Sequence, residues 1–380
     1  MTRLIRWLIC APLVLAGCSM SYVDPEPTEA SALTLLPDGF TLGTTLYGSA
    51  DLSWVGESER GLIEAAADSG MGGFTYYVDW ADLEPTPGEY TLDEFTETLA
   101  TLQGLGLRPF VNITVGDIAE YNLPPDLSDG AGGLGDGVSL DDPVLIERFG
   151  RILDRVVPIA MAHGVFFLGV GNEIDARLDE EGTTPAELGA YTSFVRAARA
   201  RVHRMAPDLA VGVVLTTTAI RNRTLTFRSM KQVSDVVPFN YGPIQDTFFV
   251  FDLDDVEADF QEVVDAYGEG PLLIQELTCP SAQTMNASEA WQRDCFVELF
   301  DVIEATPRVR FASVFTFQDF DDATCQAVRD ALLGDELEGL PPAVAQRLAD
   351  YLCELGVIRP DGTPKPAWAE IVKAAVATRE

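Results

Sequence analysis

Two glutamates stand where apolar runs end. Val165-Phe166-Phe167-Leu168-Gly169-Val170 leads into Gly171-Asn172-Glu173, and Pro271-Leu272-Leu273-Ile274-Gln275 leads into Glu276. A carboxyl at the end of a buried strand is partly desolvated, which disfavours its charged form and raises its pKa. One carboxyl that keeps its proton and a second that stays ionised make an acid and a nucleophile or base, the pair that cleaves a glycosidic bond. Asn172 is placed to hydrogen-bond a hydroxyl beside the reacting carbon. Asn240-Tyr241 closes another apolar run, and a phenol there is expected to donate to Glu276, fix its rotamer and keep it charged. Asn240 is counted with it as a substrate contact. The two histidines, His163 and His203, fall in helical stretches ahead of strands, away from the strand ends. Ser-His-Asp chemistry and a histidine-ligated metal are disfavoured, and no metal or organic cofactor is expected.

The elements that must carry these residues alternate in type. Short apolar runs begin at Phe40, Gly73, Arg108, Val165, Ala210, Asp235, Pro271 and Phe311. Between them, residues 92–105, 144–163, 186–205, 256–267 and 287–305 carry apolar side chains at helical spacing. Eight strands alternating with helices predict a parallel sheet, and that number favours a closed α/β (β/α)8 TIM barrel in a single domain over an open sheet. In such a barrel both glutamates lie on the carboxyl face. No Gly-x-Gly-x-x-Gly follows the first strand, which argues against a dinucleotide site. The stretches 116–143 and 318–342 break the rhythm and are expected to shape a cleft. Aromatic residues near the carboxyl-end loops offer flat faces for sugar rings, with Trp80 and Tyr47 foremost and Trp54, Tyr76, Tyr77 and Phe317 behind them.

Trp80-Ala81-Asp82-Leu83-Glu84-Pro85-Thr86-Pro87-Gly88-Glu89-Tyr90 resembles a Trp-x-x-Leu-Glu-Pro-x-x-Gly-x-Tyr segment found after the second strand in several families of the clan A glycoside hydrolases. Asn172-Glu173 at the end of the fourth strand and Glu276 at the end of the seventh resemble the acid/base and nucleophile positions of that clan. The resemblance implies a retaining glycosidase acting on a β-linked glycan, with Asn172 holding the 2-hydroxyl. Glu84 precedes a proline in a turn and is expected to be structural. Asp79 and Asp319 lie near strand ends, within reach of hydroxyls, and Asp175 is a neighbour or cap on the loop after Glu173. The chain departs from the clan in three places. It lacks an arginine near the second strand and a histidine near the third, and its eighth strand runs into Phe315-Thr316-Phe317-Gln318-Asp319 where a tryptophan is common. The alternative these departures keep open is a surface barrel that binds glycan without cutting it.

The N-terminus reads as an address. Arg3 and Arg6 precede an apolar stretch too short to span a bilayer, and Leu15-Ala16-Gly17-Cys18 resembles a bacterial lipobox. Residues 1–17 are then a signal peptide, Cys18 carries lipid, 18–36 form a tether and 37–380 form the barrel. Ser19 after the cysteine favours the outer membrane or cell surface, with the domain periplasmic or extracellular. The net charge of −35, made more negative by two if Arg3 and Arg6 are removed, repels nucleic acid and acidic polymers and suits a neutral carbohydrate partner and a monomer. Cys279, Cys295, Cys325 and Cys353 remain in an oxidising compartment. The pairing Cys279–Cys295 and Cys325–Cys353 is favoured because it closes the shorter loops; zinc clusters use tighter spacings. Cys18→Ala is expected to release the protein from membrane fractions, and a cleaved but still membrane-bound variant would refute lipidation.

Overall fold

Eight parallel strands close on themselves in the computed structural model, which describes residues 33–45, 57–118, 120–179, 183–333 and 341–378. The strands are Thr41–Thr44, Gly73–Val78, Arg108–Ile113, Phe167–Asn172, Ala210–Thr216, Phe239–Tyr241, Leu272–Leu277 and Val309–Val314. Each pairs with the next, Thr41 pairs with Phe311 to join first to eighth, and Phe110 pairs with Phe167 across the inserted loop. The expected (β/α)8 barrel is the observed fold. Helices such as Pro143–Ala162, Pro185–His203 and Glu289–Glu304 wrap it. Cys18, Tyr47 and Trp54 lie outside the described residues.

The lumen is filled according to the period of two along each strand. Its floor is hydrocarbon: Phe110, Phe166, Phe167, Leu273 and Phe311 pack together, with Phe110 stacked on Phe167 at 4.5 Å and on Phe311 at 5.7 Å between ring centroids. Leu36 seals this floor from below, and Arg108 holds the Leu35 carbonyl at 2.6 Å. The packed domain therefore begins a few residues ahead of the expected boundary at Pro37, because Leu33, Leu35 and Leu36 have an apolar surface to cover.

Strand limits shift where backbone chemistry demands. The sixth strand starts at Phe239, four residues later than expected, since Pro238 has no N–H for the ladder and residues 235–237 run past Gly212 instead. A Cβ on Gly212 would stand 1.9 Å from the Val236 carbonyl oxygen. The seventh strand runs one residue past the expected end at Glu276, to Leu277, so Glu276 lies within it. The loop after the third strand opens with a small hairpin, Gly116–Asp117 against Glu120–Tyr121, whose first arm adds to the fourth strand at Asn172. After the eighth strand, helices Asp322–Leu333 and Pro342–Cys353 pack together.

Both expected disulfides are present, Cys279–Cys295 and Cys325–Cys353. The first ties the loop after the seventh strand to the following helix; the second joins the two helices after the eighth. A closed loop of this size contributes about 3 kcal/mol by restricting the unfolded chain. Phe110→Ala is expected to cost about 3–5 kcal/mol, because the floor cannot collapse around the lost ring. A urea melt measures it, and a loss below about 1 kcal/mol would mean the floor repacks.

Candidate active site

Above the phenylalanine floor the lumen turns polar. Asn112, Asn172 and Gln275 are buried there, and each amide must find partners inside the protein. Gly171 N–H donates to Asn112 Oδ1 at 3.2 Å, and Asn112 Nδ2 donates to Gln275 Oε1 at 2.7 Å. Gln275 Nε2 donates to Asn172 Oδ1 at 2.7 Å and to Asn240 Oδ1 at 3.3 Å. Asn240 Nδ2 then donates to Glu173 Oε1 at 2.8 Å. The fourth and sixth strands thus meet through side chains at Glu173, while Asn240 faces Glu276 in register.

Local backbone irregularity aims the carboxylates. On the seventh strand, Ile274 pairs with Phe239 and Glu276 pairs with Asn240, so one extra residue sits on the seventh strand. Such a bulge lets two successive side chains, Gln275 and Glu276, serve the same interior. A second irregularity lies between Gly169 and Asn172 on the fourth strand. Gly171 there has φ +146°, and a Cβ on it would stand 2.1 Å from the Tyr191 hydroxyl, which donates to the Val170 carbonyl. Glu173 itself has φ 46°, a left-handed conformation that costs a non-glycine residue about 1–3 kcal/mol. Its N–H is held by the Val214 carbonyl at 2.8 Å.

The two glutamates are half-buried, and their environments differ. At Glu173, burial raises the pKa, the negative charges of Glu276 and Asp175 raise it further, and the Asn240 hydrogen bond pulls against them. At Glu276, burial also raises the pKa, but the Tyr77 hydroxyl donates to Oε1 at 2.6 Å and favours the charged form. Burial and the neighbouring carboxylates hold the Tyr77 phenol protonated, so it stays a donor. Both raised carboxyls bind protons more tightly folded than unfolded. They therefore cost stability as pH climbs from the ordinary glutamate range through the raised values.

Several expected contacts fall elsewhere. Tyr241 does not reach Glu276: its hydroxyl donates to Asp259 at 2.8 Å, and its ring meets Phe260 edge-on. The reason is strand parity, since Asn240 turns inward and the next residue must turn out toward helix Val256–Tyr267. Trp80 offers no face to a sugar. It is fully buried, packs on Phe149 and Phe194, and donates to Glu84 at 3.1 Å. Glu84 also takes Arg148 Nε at 3.0 Å and the Gly88 N–H at 2.8 Å, so Trp80, Leu83 and Glu84 form a buried brace while residues 85–89 of the same segment are exposed. Tyr76 stacks on Phe95, and Phe317 packs against Trp368. Asp319 is paired with buried Lys365 at 2.6 Å. Asp175 accepts from the Thr216 N–H at 3.0 Å and hydroxyl at 2.6 Å, bracing the ends of the fourth and fifth strands.

Sequence reasoning counted Tyr77 only as a sugar platform and did not single out Gln275, Asn112 or Asp117. The signal was present for the first three: each is a polar residue at the interior parity of its strand, in a run otherwise apolar.

The chain matches no protein-family model and no curated protein sequence. Solved structures do resemble it. A GH5_18 protein from Bifidobacterium longum subsp. longum, in complex with Manb1-4GlcNAc, superposes with a TM-score of 0.68 at 11% identity, over 90% of this chain and 79% of that one. A GH5_18 protein from Streptomyces cattleya, in complex with the same disaccharide, gives 0.65 at 16% identity, over 89% and 81%. An exo-beta-1,4-mannosidase from Opitutaceae bacterium strain TAV5 gives 0.64 at 19% identity, over 90% of this chain but only 59% of the mannosidase.

Tyr77→Phe is expected to raise the Glu276 pKa by removing its donor, with roughly tenfold or greater tightening of its proton. Carbon NMR titration of labelled glutamate side chains measures this, and an unchanged Glu276 titration would show that the bond does not favour the charged form.

At these identities the likeness defines architecture, and this chain has the (β/α)8 barrel fold that those structures share.

Proposed function

We propose that this protein is a retaining glycoside hydrolase acting on a neutral β-linked poly- or oligosaccharide. The observation that carries the reading is the unequal pair on the rim, with Asn240 bonded to Glu173 and facing Glu276, and with Tyr77 donating to Glu276 alone. Glu173, whose pKa burial and the charges of Glu276 and Asp175 all raise, protonates the leaving oxygen as the glycosidic C–O bond breaks. Glu276 attacks the anomeric carbon and forms a glycosyl ester. Water then attacks that carbon, Glu173 takes its proton, and the Glu276 carboxylate leaves. Asn172 and Asn240 contact substrate hydroxyls in this scheme, and no cofactor takes part. The solved neighbours named for mannosidase activity and for bound Manb1-4GlcNAc put β-mannosides first among sugars to test, in both exo and endo formats. Attachment through lipid on Cys18 belongs to the same proposal. It suits the placement of the described N-terminal segment at the barrel floor, opposite the carboxylates.

Catalysis in this scheme needs Glu173 protonated and Glu276 ionised. The rate is expected to fall at low pH as Glu276 gains a proton. It should fall again at a pH above the ordinary glutamate range as Glu173 loses its own. Glu173→Ala should lose about 10²–10⁴-fold on substrates with poor leaving groups and much less on activated aryl glycosides. Azide should partly restore Glu276→Ala and yield a glycosyl azide of inverted configuration. A screen of neutral β-glycans with wild type and both variants, followed by NMR of the first-formed anomer, tests the proposal. Full activity in either variant would end it, and binding without turnover on every retained glycan would favour a non-catalytic receptor.

A further inference from the structure

We propose that Asp117, on the hairpin after the third strand, is a positioning residue that fixes the Asn172 amide so that one N–H is left for the substrate. The inference rests on the glycosidase reading of the site. Asn172 carries two N–H donors and one carbonyl acceptor. Its Oδ1 already receives Gln275 Nε2 at 2.7 Å and Asn240 Nδ2 at 3.4 Å. Its Nδ2 gives one hydrogen to Asp117 Oδ1 at 3.0 Å. The opposite orientation would set Nδ2 against the Gln275 donor. Gln275 is itself held by Asn112, and Asn112 by the Gly171 backbone N–H, so the orientation is anchored in the main chain. The second N–H of Asn172, next to Glu173 in sequence, makes no hydrogen bond among the described residues.

The hairpin is built to deliver this carboxyl. Asp117 pairs with Asn172 in the sheet, and the Ile118 N–H donates to the Asn172 carbonyl at 2.8 Å. A Cβ at Gly116 would stand 2.5 Å from Ile174 Cδ1, so a larger residue there would force the Ile174 side chain to shift as the hairpin packs. Asp117 is 4% exposed, and its Oδ2 is buried with no hydrogen-bond partner. Burial pushes its pKa well above the ordinary aspartate range, with the Asn172 hydrogen bond pulling against it and the charges of Asp79, Glu173 and Glu276 adding to it. A neutral carboxyl can accept from Asn172 through its carbonyl oxygen without adding a second negative charge beside Glu173.

The consequence is substrate selection. An N–H beside Glu173 favours an acceptor on the carbon next to the reacting one, a hydroxyl or an acylamido carbonyl, and disfavours an ammonium group. The test uses the 4-nitrophenyl β-glycoside that wild type cleaves best, with its 2-deoxy and 2-amino-2-deoxy counterparts. Asp117→Ala should lose about 10–100-fold in kcat/KM on the 2-hydroxy substrate and far less on the 2-deoxy one. It should add little to Asn172→Ala. Asp117→Asn, which retains a neutral acceptor, should stay within about 2-fold of wild type. Equal losses on all three substrates, or an Asp117→Asn as impaired as Asp117→Ala, would overturn the inference. A second arm needs no turnover. With ¹⁵N-labelled asparagine, the Asn172 hydrogen bonded to Asp117 should keep its downfield shift in Asp117→Asn and move upfield toward that of a free amide in Asp117→Ala. Unaltered Asn172 signals in Asp117→Ala would sink the positioning role even if no glycoside were cleaved, whereas inactivity of wild type alone would sink only the glycosidase reading.

Discussion

Buried amides must hydrogen-bond to something, and in this barrel they bond to one another. The chain from the Gly171 N–H through Asn112, Gln275 and Asn172, with a branch through Asn240 to Glu173, is the constraint on which the rim depends. Each amide has a donor end and an acceptor end, so fixing one fixes the next. An apolar lumen of equal volume would close the barrel as well. It would not orient Asn172 or hold the Glu173 carboxylate through Asn240.

Below this layer the phenylalanine floor keeps water out and gives the strands a common surface to pack on. Above it the carboxylates meet solvent. The lumen thus passes from hydrocarbon to amide to carboxyl along the barrel axis, and each layer makes the next possible. A dry floor raises the value of every amide bond. Fixed amides, in turn, hold Glu173 where the charge of Glu276 raises its proton affinity. The left-handed backbone at Glu173 and the bulge at Gln275–Glu276 are local departures from regular structure that the surrounding ladders stabilise. Strain of this kind concentrates where side chains must point in directions a regular strand cannot supply.

The departures from the clan pattern become intelligible in the same terms. Where an arginine near the second strand is common, this chain has Tyr77, a neutral donor on Glu276. The loop after the third strand brings Asp117, an acid, to Asn172. A neutral phenol and buried carboxyls surround the pair, in a protein whose overall charge is strongly negative. The Trp80–Tyr90 segment keeps its motif but serves as a brace through Glu84 and Arg148.

Periodicity and strand-end chemistry made much of this legible from the residues alone. Eight apolar runs separated by amphipathic helices favour a closed parallel barrel over an open sheet, and the carboxyl end of each run is determined by chain direction, so in that barrel Glu173 and Glu276 had to share a face. The cysteine pairing followed from loop length. What the residues could not reveal was parity at irregular positions. Tyr241 was expected beside Glu276, but a regular step after inward Asn240 turns it out to Asp259. Glu276 enters the lumen only because a bulge breaks the alternation that Gln275 alone would satisfy. Trp80 was expected at the surface, but it lies under helix Pro143–Ala162, against Phe149. Asp117 sat unremarked in a glycine-rich loop until sheet pairing brought it to Asn172. Sequence specifies which side chains exist and which element carries them. Which of them meet depends on register, bulges and loop closure, and these are set by packing between segments far apart in the chain.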